Sequence, residues 1–247
     1  MAKPKRNADE TETFTSAAER RLRDDITAGR LAAGMRLAVV ELSAGYGLGA
    51  TPIREALSRL SAQGFVTALD GRGFRVAPLS AEDLRDLIMV RQTLEATALE
   101  AAMANGNATW EADILRALHL LERNVDEISA RPPAAAGGNP AWLETLDEAH
   151  RQFHIALLAA CGSPRLLQLH ETYYAQTFRY RCAMFTQLPD FAHFLDEHRD
   201  LANLALARDA TALPLLRRHL ARTLDDCAVQ LLPPQTFLEP TGSSAPT

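Results

Sequence analysis

Apolar positions recur along most of this chain at the three- and four-residue spacing of amphipathic helices. Leu22 and Ile26 stand one turn apart in a first helix predicted over 17–28, with Gly29 past its end. Residues 31–37 form a connection that turns at Gly34, and Val39 to Tyr46 is a short second helix. Ile53, Leu57 and Leu60, with Ala56 beside them, make the apolar face of a third helix that begins near Ala50 and stops at Gly64. Pro52 suits its first turn, where a missing N–H has no intrahelical partner to lose. The period then changes. Phe65–Thr67 and Phe74–Val76 read as two short strands around Asp70-Gly71-Arg72-Gly73, and a D-G dipeptide between such runs marks a hairpin. After Pro78 the helical period returns. Helices are predicted near 81–104, 108–130, 140–161, 163–187, 190–207 and 209–231. Ser80 is a good N-cap for the first of them, with Asp83 three residues on. Pro132-Pro133 and Gly137-Gly138 make 131–139 a loop, and Gly162-Ser163-Pro164 separates another pair.

Helix, helix, turn, helix and hairpin is the order of a winged helix-turn-helix, with the third helix in the recognition position. Six later helices with short connections predict an antiparallel bundle, whose ligand sites lie between facing helices. The fold class is therefore mainly α. The expected domains are a disordered tail over 1–14, a DNA-binding domain over 15–78, an all-helical domain over 79–232 and a second disordered tail over 233–247. Arg54 and Arg59 lie off the apolar stripe of the third helix, free to meet DNA. Arg72 and Gly73 sit at the hairpin tip, where an arginine between two glycines can enter a narrow groove.

Charge supports that division. The 247 residues carry a net charge of −5, but residues 1–78 hold 12 Lys and Arg against 9 Asp and Glu, while the remainder is −8. A basic end on an acidic body suits a protein whose DNA-binding part is a minor fraction of its surface. Cys161, Cys182 and Cys227 lack CxxC spacing and lie on apolar helical stretches, as reduced core residues do. The amino terminus has no apolar signal region and no run is long enough to span a bilayer, so a cytoplasmic protein is expected. There is no internal repeat and no GxGxxG, Walker A or GxSxG motif.

Five of the seven histidines fall between 150 and 198, and His150 and His154 are four residues apart in HRQFH. Such a pair shares one helix face. His198 and His219 lie on two later helices. Two ligands from one helix and one from each of two others can build a metal site inside a bundle. The plainer reading is a set of satisfied polar residues. His170 and His193 have no partner at helical spacing and are read as non-ligands. A zinc-protease helix needs a glutamate after its first histidine as general base, and here that position is Arg151. A metal-dependent enzyme on a helical bundle is thus the weaker alternative.

These residues together resemble the GntR family of bacterial transcription regulators, in the subfamily with the all-helical FCD effector domain. The resemblance covers about 16–232. It rests on Gly29, Leu31, Gly34 and Leu37, then Thr51-Pro52-Ile53-Arg54-Glu55-Ala56-Leu57, Leu60, Gly64-Phe65-Val66, Arg72-Gly73 and Val76. In the second domain it rests on Arg91 and Glu95, on His150-Arg151-Gln152-Phe153-His154, Gly162-Ser163-Pro164, Glu197-His198, Arg208-Asp209 and His219. The resemblance implies a homodimeric, ligand-responsive regulator, most often a repressor, that binds double-stranded operator DNA. It implies a divalent transition metal, zinc or nickel above others, on His154, His198 and His219 at the floor of an effector pocket.

Two departures matter. The family's fourth ligand is an aspartate, which His150 replaces; Asp147, one turn earlier, is the alternative oxygen donor. An all-imidazole set shifts preference towards Zn, Ni or Cu and away from Mn. The family's Ser-Arg before Thr-Pro is Gly49-Ala50 here, which removes a helix cap and an arginine. Arg54 is the expected base or phosphate contact, Thr51 and Arg59 the backbone contacts, and Arg72 with Gly73 the wing contacts. A small carboxylate is the expected effector, anchored by the metal and by Arg91, with Arg179 or Arg181 reaching in.

Overall fold

A computed structural model of the chain describes residues 13–69, 72–130, 141–184 and 191–231, with the side chains of 141, 183–184 and 224–231 left aside. The two terminal tails, the Asp70-Gly71 turn, the 131–139 loop and the Cys227 side chain lie outside the described residues.

The first domain contains α1 (Phe14–Thr27), β1 (Arg36–Leu37), α2 (Val39–Tyr46), α3 (Ala50–Ala62), β2 (Val66–Leu69) and β3 (Gly73–Val76). The apolar stripe read from the sequence is its core: Leu22, Ile53, Ala56, Leu57 and Leu60 are all 0% exposed. Phe65, Val66 and Val76 close it from the sheet side. The hairpin pairs antiparallel from Val66 opposite Val76 to Leu69 opposite Gly73. The sheet has a third strand that periodicity did not reveal. Arg36 and Leu37 pair with Arg75 and Phe74, giving the order β1-β3-β2. Two residues are too few to show alternation, and the pairing depends on the far strand of the later hairpin, where Val76 N–H donates to the Met35 carbonyl at 2.8 Å.

The second domain is built from α4 (Ala81–Asn105), α5 (Ala108–Ser129), α6 (Ala141–Leu158), α7 (Pro164–Met184), α8 (Phe191–Leu206) and α9 (Ala212–Leu231), with a 3-10 turn over Ala159–Cys161. Ser80 caps α4 by accepting from the Asp83 N–H at 3.1 Å. Asn107 caps α5 by accepting from the Thr109 and Trp110 amides. α4 is the central strut, packed against α6, α7, α8 and α9. Leu99, Ile114, Leu121, Phe153, Leu157, Leu201 and Leu216 meet in one core between these helices.

α7 also reaches the winged domain. It packs on α1, and Ala175 joins the winged domain's own core. Gln176 Nε2 donates to the Gln63 carbonyl at 2.6 Å, and Arg179 Nη2 donates to the Ala77 carbonyl at 2.7 Å. No helix among the described residues is long and apolar enough to cross a membrane.

Candidate metal centre and DNA-binding face

Polar residues buried inside a helical bundle are costly unless each finds a partner. The bundle nevertheless buries His150, His154, His198 and His219, each no more than 9% exposed. α6 supplies the first two, α8 the third and α9 the fourth. One ring nitrogen of each lies within 4.8 Å of those of the others.

The outer ring nitrogens fix what the inner ones carry. His154 Nδ1 stands 3.2 Å from Glu95 Oε2, and His219 Nδ1 stands 3.2 Å from Glu197 Oε2. His198 Nδ1 faces the Phe194 carbonyl at 2.6 Å. Carboxylate and carbonyl oxygens only accept, so these three histidines donate from Nδ1 and leave a bare lone pair on Nε2. His150 follows by one more step. Tyr174 Oη lies 3.0 Å from Asp147 Oδ1 and 2.9 Å from His150 Nδ1. Its single proton goes to the carboxylate, so it accepts from His150 Nδ1. Four Nε2 lone pairs therefore point inward. His154 Nε2 is 3.0 Å from His150 Nε2 and 3.3 Å from His219 Nε2, and His198 Nε2 is buried with no hydrogen-bond partner. Lone pairs at such separations repel unless a cation lies between them.

Protonation is not the remedy the site favours. Burial, then the neighbouring His154 and His198, hold His150 well below the ordinary imidazole range. Burial does the same to His198, and lowers His154 to about 3 despite Glu95. Neutral imidazoles with oriented Nδ1–H groups are the form that binds metals. The separations of 3.0 and 3.3 Å match the edge of about 2.9–3.4 Å expected for nitrogens about 2.0–2.1 Å from one ion. The donor set fits a divalent transition metal.

Asp147, the alternative oxygen donor, stands outside the ring. Its Oδ1 accepts from Arg181 Nη2 and from Tyr174, so it acts on His150 through the tyrosine. His150, and not Asp147, joins the other three histidines in the cluster that could hold a metal. His170 is also fully buried but lies behind His154, rings stacked at 6.3 Å. Its Nδ1 comes within 3.2 Å of Glu95 Oε1, yet neither ring nitrogen is aligned for a hydrogen bond. Arg151, in the slot where a metalloprotease holds its base, pairs with Glu148 and Glu171 at 2.7 Å each. No base stands beside the histidines from that position.

Arg91 is 1% exposed and holds Glu95 Oε1 through Nε at 2.7 Å. Burial opposes a charged Glu95, but Arg91 and the adjacent histidines outweigh it and hold the carboxyl well below its usual range. Arg91 Nη2 is left buried and without a partner. Arg91 and Arg181 both lie against the Tyr174 ring, 5.0 and 4.9 Å from its centre. Arg179 turns the other way. It lies over the Phe65 ring of the winged domain at 5.7 Å and takes no part in the histidine pocket. Of the two α7 arginines, Arg181 is the one on the Asp147–Tyr174 side, because residues two apart on a helix point to different sides. Tyr174 and the Phe194 carbonyl escaped the sequence reading. A tyrosine at a single helical position carries no spacing signal, and a backbone acceptor carries none at all.

On the winged domain, Thr51, Arg54, Arg59, Arg72 and Gly73 are all exposed. Arg54 forms no ion pair among the described residues. Arg59 Nη1 lies 3.3 Å from Glu19 Oε2, so part of its charge is already answered. Arg36 and Arg75 stand opposite each other on β1 and β3 and add basic character beside the hairpin. α3 begins at Gly49, which provides no side-chain cap.

Comparison with known proteins agrees with this architecture. Residues 14–76 match the family described as bacterial regulatory proteins, gntR family, and residues 86–222 match the FCD domain. The uncharacterized HTH-type transcriptional regulator BphR of Paraburkholderia xenovorans (strain LB400) is 39% identical over 215 residues, covering 86% of this chain and 84% of that protein. The HTH-type transcriptional repressor GlaR of Escherichia coli (strain K12) is 35% identical over 206 residues, covering 81% and 89%. A putative GntR transcriptional regulator from Rhodococcus sp. RHA1 has the same fold, with a TM-score of 0.68 at 20% identity over 87% of this chain and 97% of that one. The chain thus belongs to the GntR family of bacterial regulatory proteins, with an FCD domain behind its winged helix-turn-helix, and is a DNA-binding transcription regulator rather than an enzyme.

Proposed function

We propose that this regulator works in the cytoplasm as a homodimer, most simply as a repressor, whose hold on operator DNA is set by a small carboxylate in a metal-floored pocket. The observation that carries the reading is the convergence of one ring nitrogen from each of four buried histidines, together with Arg91, which holds Glu95 behind His154 and whose buried Nη2 lacks a partner. His150, His154, His198 and His219 would hold the metal, zinc or nickel. When bound, the metal supplies a positive centre that attracts an oxygen anion. The chain's own groups do the rest. Glu95, Glu197, Tyr174 and the Phe194 carbonyl orient the rings, and Arg91 offers a charged donor to a carboxylate.

α7 supports the link to DNA. Tyr174 and Arg181 face the pocket, while Gln176 and Arg179 grip the winged domain. A ligand that prefers one placement of α7 changes DNA affinity by its difference in affinity for the two placements. Each recognition helix would enter the major groove of one half-site, with Arg54 at the bases or nearby phosphates, Thr51 and Arg59 on the backbone, and Arg72 with Gly73 at the wing.

The test is metal analysis by ICP-MS on untagged protein beside a His154→Ala/His198→Ala double variant, followed by operator binding with and without metal. About one transition metal per subunit, lost in the variant, is the expected result. Protein that takes up no metal on titration with zinc and nickel sinks the metal-floored pocket while leaving the DNA-binding role standing.

A further inference from the structure

Besides the histidine pocket, a cleft of about 310 Å³ opens between the two domains. Its volume falls at the lower end of the range of about 300–1,000 Å³ typical of small-molecule sites. Ile26, Ala28, Ala32 and Ala33 line it from the end of α1 and the turn that follows, Leu79 from the interdomain connection, and Cys182 from α7. The one charged side chain on its wall is Arg179.

Arg179 differs from the other buried arginines of the bundle. Arg91 is matched by Glu95 and Arg181 by Asp147. Arg179 is 5% exposed, yet its hydrogen bonding is a single donation to the Ala77 carbonyl, and no carboxylate among the described residues forms an ion pair with it. Tyr180 and Asp83 exert fields on it, and the Asp83 carboxylate is itself engaged by the Tyr180 hydroxyl. A guanidinium has five N–H donors. Arg91 Nη2 is sealed from solvent without a partner, whereas no nitrogen of Arg179 is. The unspent donors of Arg179 therefore keep contact with open space, and the cleft is the open space beside them. A buried unmatched charge is costly, and an anion delivered to it recovers that cost.

We propose that this interdomain cleft is a second ligand site, distinct from the metal-floored pocket, which takes a small monocarboxylic acid with an apolar body. The carboxylate pairs with Arg179, and the apolar body lies along Ile26, Ala32 and Leu79. One negative charge answers one positive charge, and apart from Arg179 the wall holds no charged side chain and is mostly apolar, with Thr27 its one hydroxyl. The site exists only while α7 and the winged domain are docked, because its walls come from both. An occupant therefore favours the docked placement and acts as a second input to DNA binding.

The experiment is isothermal titration calorimetry on the full-length protein after removal of metal with EDTA, which takes the cation out of the histidine pocket. Hexanoate is the probe and hexanamide its uncharged control. Saturable hexanoate binding is expected, at least ten-fold tighter than hexanamide, and equal in zinc-loaded protein and in Arg91→Gln. Arg179→Gln should weaken it at least ten-fold. Ala33→Leu, at an exposed turn position, should do the same by narrowing the mouth, and it serves where Arg179→Gln fails to fold. Absence of saturable binding overturns the proposal. So does affinity unchanged in Ala33→Leu and Arg179→Gln, and so does binding that requires zinc or Arg91, which would place the probe in the histidine pocket.

Discussion

Gln176 on α7 donates to the backbone carbonyl of Gln63 at 2.6 Å, and Gln63 is the residue that ends the recognition helix. The same Gln63 side chain bonds Arg23 and Glu19 on α1. Gly64 follows in the left-handed region at φ +77°, its missing side chain leaving room for the Gln176 amide about 3.1 Å from where a Cβ would stand. Gln176→Ala is expected to leave metal uptake unchanged and to cost about 0.5–1.5 kcal/mol of interdomain attachment. Hydrogen exchange measures it. Faster exchange confined to α3 and the hairpin is the expected pattern, and an unchanged exchange map would show that this bond does not hold the helix.

Arg54 and Arg59 should separate in DNA binding. Arg54 is exposed and unpaired, whereas Arg59 is shared with Glu19. Arg54→Ala should cost about 1–3 kcal/mol of operator affinity and Arg59→Ala less. Fluorescence anisotropy at fixed salt decides between them, and equal losses would contradict the ranking.

Metal removal should destabilise the bundle. A ligand at about 100 times its Kd adds about 2.7 kcal/mol, which corresponds to a Tm change of roughly 5–10 °C for a chain of this size. EDTA is expected to lower the Tm by that order in the parent protein and not in His154→Ala/His198→Ala. Identical shifts in both would place the chelator's effect elsewhere.

Tyr174→Phe removes the acceptor of His150 Nδ1 without touching a ligand. Loss of such an outer partner typically weakens metal binding 10–100-fold. Competition with a chromophoric chelator gives the affinity. The Asp147–Arg181 pair is retained in the variant, so a fall in metal affinity without a fall in Tm of the metal-free protein would be specific to ring orientation.

Gly106 is a packing requirement rather than a turn requirement. Its φ is −62°, open to any residue, but a Cβ there would stand 2.1 Å from Trp110 Cε3. Trp110 cannot retreat: it is 4% exposed, donates from Nε1 to the Leu157 carbonyl and is covered by Arg208 at 5.1 Å. Gly106→Ala should cost about 1–3 kcal/mol by overpacking, read from thermal or urea unfolding.

These residues also mark what the sequence could disclose. Ile53, Leu57 and Leu60 announced their shared burial because helical spacing is local. His150 and His154 announced a shared face for the same reason, while joining them to His198 and His219 across two further helices was one reading among others until the resemblance singled it out. The tautomers needed more, since they depend on Glu95, Glu197, Tyr174 and a main-chain oxygen brought in by packing. β1 was missed because its pairing is long-range. Arg179 and Arg181 could not be told apart in role, because a sequence does not say which neighbour each side of α7 meets.

The bare start of the recognition helix bears on how the domain meets its target. Gly49 offers no side-chain oxygen to the first turn, only its carbonyl to the Ile53 amide, and Pro52 has already removed one of the amides a cap would have satisfied. What remains are the amides of Ala50 and Thr51, set on the exposed end of α3 with no acceptor of their own. A phosphate oxygen is the natural occupant of such a helix end. The operator would then finish a piece of secondary structure that the chain leaves open, and recognition and the stiffening of the reading helix would occur as one event.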